Sequence, residues 1–184
     1  YKSRDLGGPG AGLNGIVRAI DYLTASNRQN FGDKVPEIDS GELSADGKKV
    51  VVIGGGDTAM DCVRTAIRQG ATSVKCLYRR DKVNMPGSQR ETANAEEEGV
   101  EFVWLSAPAG FHGEEVVTGV HVQRMRLGAP DMTGRQSPEK IDGADYIEEA
   151  DLVIKALGFE PEELPSLWDT PELEVTRWGT VKAD

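Results

Sequence analysis

A chain of 184 residues, 38% hydrophobic and with a formal charge of −10, can bury one full core and is short for two. The negative charge argues against nucleic acid and anionic membrane as partners, and with no bilayer-length apolar run or charged-then-apolar leader the expectation is a soluble, unsecreted, cytoplasmic protein. Two cysteines, Cys62 and Cys76, and two histidines, His112 and His121, stand at no metal or redox spacing, so no metal ion or iron–sulfur cluster is expected in this chain.

In chain order, Gly7-Gly8-Pro9-Gly10-Ala11-Gly12 reads as a flexible loop. Ile16, Ala19, Ile20 and Leu23 fall at i, i+3, i+4 and i+7 and predict a helix. The polar stretch 27–32 ends it, and the residues up to Gly47 form a connection. Val50-Val51-Val52-Ile53 is a continuous β-branched run, as in a strand buried on both faces of a parallel sheet. Gly54-Gly55-Gly56 then turns the chain into a helix from Asp57 to Gln69, with Ala59, Cys62, Val63, Ala66 and Ile67 as its apolar stripe. Gly70 closes that helix and Ser73 to Tyr78 supplies a second strand, completing a βαβ unit of about 30 residues.

Further on, Ser88-Gln89-Arg90-Glu91 reads as a capping box opening a helix that Gly99 closes, with Glu96-Glu97-Glu98 on its solvated face. Glu101 to Leu105 is a third parallel strand. Glu115 to Val117 and Gly119 to Leu127 are shorter strands, the second alternating like an antiparallel strand with one wet face. Residues 128–145, rich in Gly, Pro and Asp, read as a mobile loop. Ala150 to Gly158 holds another buried strand, and the tail with Pro161, Pro165 and Pro171 is extended. The pattern predicts an α/β fold, a Rossmann-like parallel sheet with flanking helices and a small antiparallel β-meander. Its expected parts are a lead-in loop and helix at 1–45, a nucleotide-binding domain at 46–160 and an extended tail at 161–184. The termini at Tyr1 and Asp184 read as cut ends of a longer polypeptide.

The chemistry concentrates at Gly54-Gly55-Gly56-Asp57-Thr58-Ala59, which fits G-x-G-x-x-A between a strand and a helix. Gly54 makes the tight turn, Gly56 lets backbone approach a pyrophosphate, and Ala59 permits close helix–strand packing. The phosphates would rest on the helix N-terminus, where free N–H groups and the macrodipole favour anions. Asp57 would repel them and is expected to turn aside to a ribose or a backbone group. Thr58 reads equally as a phosphate contact or as a plain first-turn residue.

The second strand ends in Tyr78-Arg79-Arg80, 25 residues past Gly54, where an NAD site would carry an acid for the ribose 2′-hydroxyl. Arginines there suit a 2′-phosphate, so the reading is NADPH over NADH, with Asp81 a competing reader of a hydroxyl and Lys82 and Arg90 as helpers. From Arg64 to Arg90 the chain has seven basic residues against one acid, a local patch suited to a small anion; Arg64 and Arg68 are expected on a solvated helix face. A nucleotide-sensing domain without turnover fits the same residues.

With these stand Asp57-Thr58-Ala59-Met60-Asp61-Cys62, Asn84-Met85-Pro86-Gly87-Ser88, Asn94 to Val100, Ala156-Leu157-Gly158-Phe159 and Val175 to Thr180. Over most of residues 13–184 the sequence resembles the small (β) subunits of NADPH-dependent glutamate synthase, a branch of the two-dinucleotide-binding flavoproteins. The glycine loop and arginines also resemble thioredoxin reductases and the electron-input half of dihydropyrimidine dehydrogenase; the Cys-x-x-Cys of the former is not in this chain. The resemblance implies an NADPH domain inserted in a discontinuous FAD domain of the same polypeptide, so that FAD binds only in the full-length protein and the isolated chain is inactive. It places Ile16 to Leu23 at one domain crossing and Ala156, Leu157 and Gly158 at the other, near the nicotinamide. It implies electron flow from NADPH through FAD and iron–sulfur clusters to a glutamate synthase large subunit, or to another acceptor in related flavoproteins. No catalytic side chain is expected, because the cofactors carry the reaction.

Overall fold

The computed structural model describes residues 2–183, so the readings placed on Tyr1 and Asp184 fall outside it. In chain order the elements are β1 (Lys2–Ser3), β2 (Ile16–Arg18), α1 (Ala19–Asn30), α2 (Pro36–Asp39), β3 (Lys49–Ile53), α3 (Asp57–Arg68), β4 (Ser73–Tyr78), α4 (Gln89–Glu97) and β5 (Glu101–Trp104). They continue with β6 (Ser106–Gly113), β7 (Val117–Pro130), β8 (Gln136–Lys140), β9 (Tyr146–Glu149), β10 (Leu152–Lys155), β11 (Phe159–Glu160) and α5 (Leu164–Leu167).

Five strands form a parallel sheet in the order β2-β10-β3-β4-β5. The apolar run of β3 exists because both of its faces are covered. Val50 and Val52 pack with Tyr22, Ala59, Val63 and Ala66 on the helical side, while Val51 and Ile53 pack with Phe111, Val120 and Val122 on the other. The same division holds in β10, where Leu152 and Ile154 face the helices and Val153 faces away. That second cover is the antiparallel sheet β6-β7-β8, with β9 pairing along β7. The expected α/β architecture with its antiparallel meander is therefore present, as three layers: helices, parallel sheet, antiparallel sheet. Among the described residues no helix is long and apolar enough to cross a membrane.

Several expectations change. Ile16 to Arg18 is not helical but the edge strand β2, in register with Val153 to Lys155 of β10. Ile16 packs towards one sheet face and Val17 towards the other, and the helix proper buries Ala19, Tyr22, Ala25 and Ser26. Residues 106–113 form β6, and part of the expected loop at 128–145 is β8, held against β7 through Met125↔Lys140 and Arg126↔Glu139. Of Glu115 to Val117 only Val117 enters a strand, and the Pro36 turn in the connection is helical. The glycine loop at 7–12 is pinned, with Phe111 N–H donating to the Pro9 carbonyl at 2.8 Å. The tail is not wholly extended, since the one-turn helix α5 lies within it; just before it, β11 pairs antiparallel with β1.

The capping box is also not made. Ser88 occupies the N-cap of α4 without a side-chain cap hydrogen bond, its own N–H is taken by Asp57 Oδ1, and Glu91 reaches across to Arg64 instead. Arg64 is 22% exposed and also binds Glu98 at 2.8 Å, so it braces α3 against α4 rather than lying on a solvated face. Glu98 takes Arg68 as well, and its carboxyl is held below the usual range, first by the Arg64 hydrogen bond.

Cys62 and Cys76 are free and buried. Burial pushes the Cys76 thiol up to about 12 and raises that of Cys62 for the same reason, aided by the Asp61 charge. Since the thiolate is the reactive form, neither thiol of the native protein should react with a thiol-specific chromogenic disulfide at neutral pH, and both should react in denaturant. Rapid native labelling of either would contradict this packing.

Candidate dinucleotide site

The site is assembled where β3, β4 and β10 end together. Ala156 N–H donates to the Ile53 carbonyl at 2.8 Å and Gly54 N–H to the Leu77 carbonyl at 3.1 Å, so the glycine turn is sewn to both neighbouring strands. At Gly54, φ is +149° and an added Cβ would overlap the Ala156 carbonyl oxygen, so only glycine fits. At Gly55 a Cβ would lie 2.5 Å from Cδ2 of the Tyr78 ring. Gly56 differs from both: apart from its own chain neighbours, nothing lies within 4 Å of where its Cβ would stand. It is the N-cap of α3 and offers no side-chain oxygen to the helix. The N-terminus of α3 thus has no side-chain cap and clear space beside its N-cap residue, an arrangement that suits a phosphate.

Asp57 turns aside, its Oδ1 accepting the Ser88 N–H at 2.9 Å. Thr58 lines a narrow cleft with Lys155, Ala156, Leu157 and Gly158. Gly158 adopts φ +78° with open space about it, and its carbonyl accepts Arg4 N–H at 3.0 Å. Lys155, which sequence reasoning passed over, is 8% exposed in this cleft and pairs with Asp5. Hydrogen bonding to that ammonium holds the Asp5 carboxyl below the usual range.

The basic stretch 64–90 sorts itself by pairing. Arg64 and Arg68 bind acids of α4 and its cap, Lys75 binds Glu148 at 2.9 Å, and Lys82 binds Glu96 at 2.8 Å. Among the described residues, Arg79, Arg80 and Arg90 are the members of the seven that form no ion pair. Arg79 is exposed. Arg80 is half-buried, with its guanidinium carbon 6.0 Å from the Tyr78 ring centroid and its buried Nε without a partner. Asp81 has committed Oδ1 to Asn84 N–H at 2.9 Å and to Asn84 Nδ2 at 2.7 Å. Open space at Gly56, uncapped amides and an orphaned guanidinium nitrogen fit a phosphorylated dinucleotide. Sequence reasoning also missed the bracing role of Tyr78, whose hydroxyl donates to the Asn84 carbonyl at 3.0 Å; an aromatic residue directly before the arginines was the available signal.

A family model described as pyridine nucleotide-disulphide oxidoreductase matches residues 2–184. The whole chain is 73% identical to a putative glutamate synthase (NADPH) small chain of Cereibacter sphaeroides, spanning 44% of that protein. It is 66% identical to the glutamate synthase (NADPH) small chain of Azospirillum brasilense, spanning 38% of it. The chain therefore covers less than half the length of these relatives. Among solved structures, Mycobacterium tuberculosis FprA in complex with NADPH shares the fold, with a TM-score of 0.68 and 19% identity over 89% of this chain and 49% of that one.

The three glycines should respond differently to a methyl group. Gly56→Ala should leave the melting temperature unchanged while abolishing dinucleotide binding by calorimetry. Gly54→Ala, which must displace the Ala156 carbonyl, should cost about 2 kcal/mol or more in urea denaturation. Retained binding in a folded Gly56→Ala protein would remove Gly56 from the site.

Proposed function

This chain belongs to the pyridine nucleotide-disulphide oxidoreductase family, and from that premise we propose that it is the NADPH-binding domain of a flavin-dependent oxidoreductase. The parent is a glutamate synthase small subunit, the full-length polypeptide holding FAD outside this chain and delivering electrons through iron–sulfur clusters to a large subunit. The nicotinamide, when bound, supplies a hydride, two electrons and a proton in one transfer; this chain binds, orients and selects its carrier.

Gly54, Gly55 and Gly56 hold the turn, and the amides of Asp57 and Thr58 with the α3 dipole receive the pyrophosphate. Arg79 and Arg80 grip the 2′-phosphate, with Arg90 within the same basic group; Lys82 joins them only by leaving Glu96. Ala156, Leu157 and Gly158 border the nicotinamide end, where the absence of a side chain on Gly158 allows close approach. None of these groups is a proton donor or acceptor in the transfer.

The observation that carries this reading is the pairing pattern of the basic stretch. In an acidic chain that satisfies Arg64, Arg68, Lys75 and Lys82 with carboxylates, Arg79 and Arg80, at the end of β4 where a 2′-phosphate would be read, form no ion pair among the described residues. Charged hydrogen bonds contribute about 1.5–3 kcal/mol each, so two of them give NADPH at least a tenfold advantage over NADH. Calorimetric titration of wild type should show that preference, and Arg79→Ala/Arg80→Ala should erase it while NADH binding persists. Equal affinity of the wild type for both nucleotides would overturn the assignment.

A further inference from the structure

The loop that carries the arginines does not hang free from β4; it folds back onto the glycine turn. Asn84 N–H and Nδ2 close a turn on Asp81, and the Tyr78 hydroxyl holds the Asn84 carbonyl at 3.0 Å. Gly87 N–H donates to the Gly55 carbonyl at 2.9 Å, and Ser88 N–H donates to Asp57 Oδ1 at 2.9 Å. A Cβ on Gly87 would stand 3.0 Å from the Gly55 carbonyl oxygen, so the two loops are in contact along their backbones. Within residues 54–58, Asp57 is the one side chain bonded to this loop among the described residues.

A carboxylate in the first turn of a helix that receives a diphosphate is electrostatically misplaced unless it has another task. We infer that the Asp57 side chain is a positioning group for nucleotide choice: by clasping Ser88 N–H it fixes the Arg79–Arg80 loop against the pyrophosphate turn, and its carboxylate makes no contact with the nucleotide. The inference rests on the NADPH assignment above. The arginines lie at the root of the loop and Ser88 at its far end. With both ends fixed, the separation between the guanidiniums and the α3 amides is set before ligand arrives, which spares the ordering cost on binding. That separation matters only to a dinucleotide gripped at both its 2′-phosphate and its pyrophosphate. NADH, held at the pyrophosphate alone, is indifferent to it. Releasing the clasp should therefore weaken NADPH selectively, whereas a carboxylate that merely repelled phosphate would affect both nucleotides alike.

The test uses the full-length small subunit and measures NADPH and NADH dissociation constants with melting temperatures. Asp57→Ala should lower the NADPH preference by about fivefold or more, the equivalent of one hydrogen bond, through weaker NADPH binding and with an unchanged melting temperature. Asp57→Asn, whose side-chain oxygen still accepts the Ser88 N–H, should restore the preference. Gly87→Ala, which presses the loop off the Gly55 carbonyl, should shift the ratio as Asp57→Ala does. An Asp57→Ala protein that changes both affinities by the same factor overturns the clasp, as does an Asp57→Asn protein that behaves like the alanine variant. Failure of the NADPH assignment is seen separately, as an Arg79→Ala/Arg80→Ala protein that keeps the wild-type preference.

Discussion

The site depends on one close backbone approach, that of Gly54 to the Ala156 carbonyl at the ends of β3 and β10. No side chain can stand between them, so the turn into α3 is drawn onto the mouth of the neighbouring strand. Two things follow from that contact. The N-terminus of α3 points across the carboxyl ends of the sheet, where ligands of open α/β folds bind, and Ala156, Leu157 and Gly158 are brought beside Thr58 although nearly a hundred residues separate them in sequence. The parallel register of β3 with β10, from Leu152↔Val50 to Lys155↔Ile53, is the wider condition for it. That register is held by the two hydrophobic layers that alternate residues of each strand enter.

Charge is handled by subtraction. A chain with 31 acidic and 21 basic residues has carboxylates to spare, and the fold spends them on bases that would otherwise compete for an anion. Glu98 and Glu91 serve α3, Glu148 serves β4, and Glu96 serves Lys82. The exposed pairs among them, such as Lys82 with Glu96, contribute little stability individually. Their larger consequence is selectivity of position: among the described residues, positive charge stays unpaired at the end of β4 and at the start of α4.

What could be read from the sequence was the local part. The glycine turn, α3, β4 and the arginines are contiguous, and each carries its own signal: β-branched run, glycine triplet, apolar stripe, paired arginines. Ile16, Ala19, Ile20 and Leu23 satisfied helical spacing, yet Ile16 to Arg18 is a strand because β10 offers it an edge, a fact held by residues far along the chain. β6 was hidden by Ala107, Pro108, Ala109 and Gly110, which have low strand preference and are shaped by β7. The acid partners of the basic stretch were equally invisible: Glu148 lies 73 residues from Lys75, so the patch could be seen and its neutralised members could not. Ser88 and Glu91 matched a capping box in spacing, but Arg64 on another helix outbid the local bond with a full charge.

The two ends of the crevice are built differently, and the difference bears on what the chain can do alone. At the glycine turn the walls are internal: Gly54 against Ala156, Gly55 against Tyr78, Gly87 against Gly55. Such close backbone contacts leave the turn little room to rearrange. At the other end Gly158 faces open space, Leu157 is half-buried, and Phe159 is 42% exposed beyond them. A dinucleotide fastened by its phosphates here would present its far ring at an edge that this chain does not enclose. An enzyme that reduced a small substrate within one domain would need that edge closed against water. A domain that hands hydride to a flavin held elsewhere needs it open, because the ring must meet a second ring face to face. The border at Leu157, Gly158 and Phe159 is thus open where the glycine turn is walled by close backbone contacts, which is the shape expected of a domain whose ligand meets a second surface.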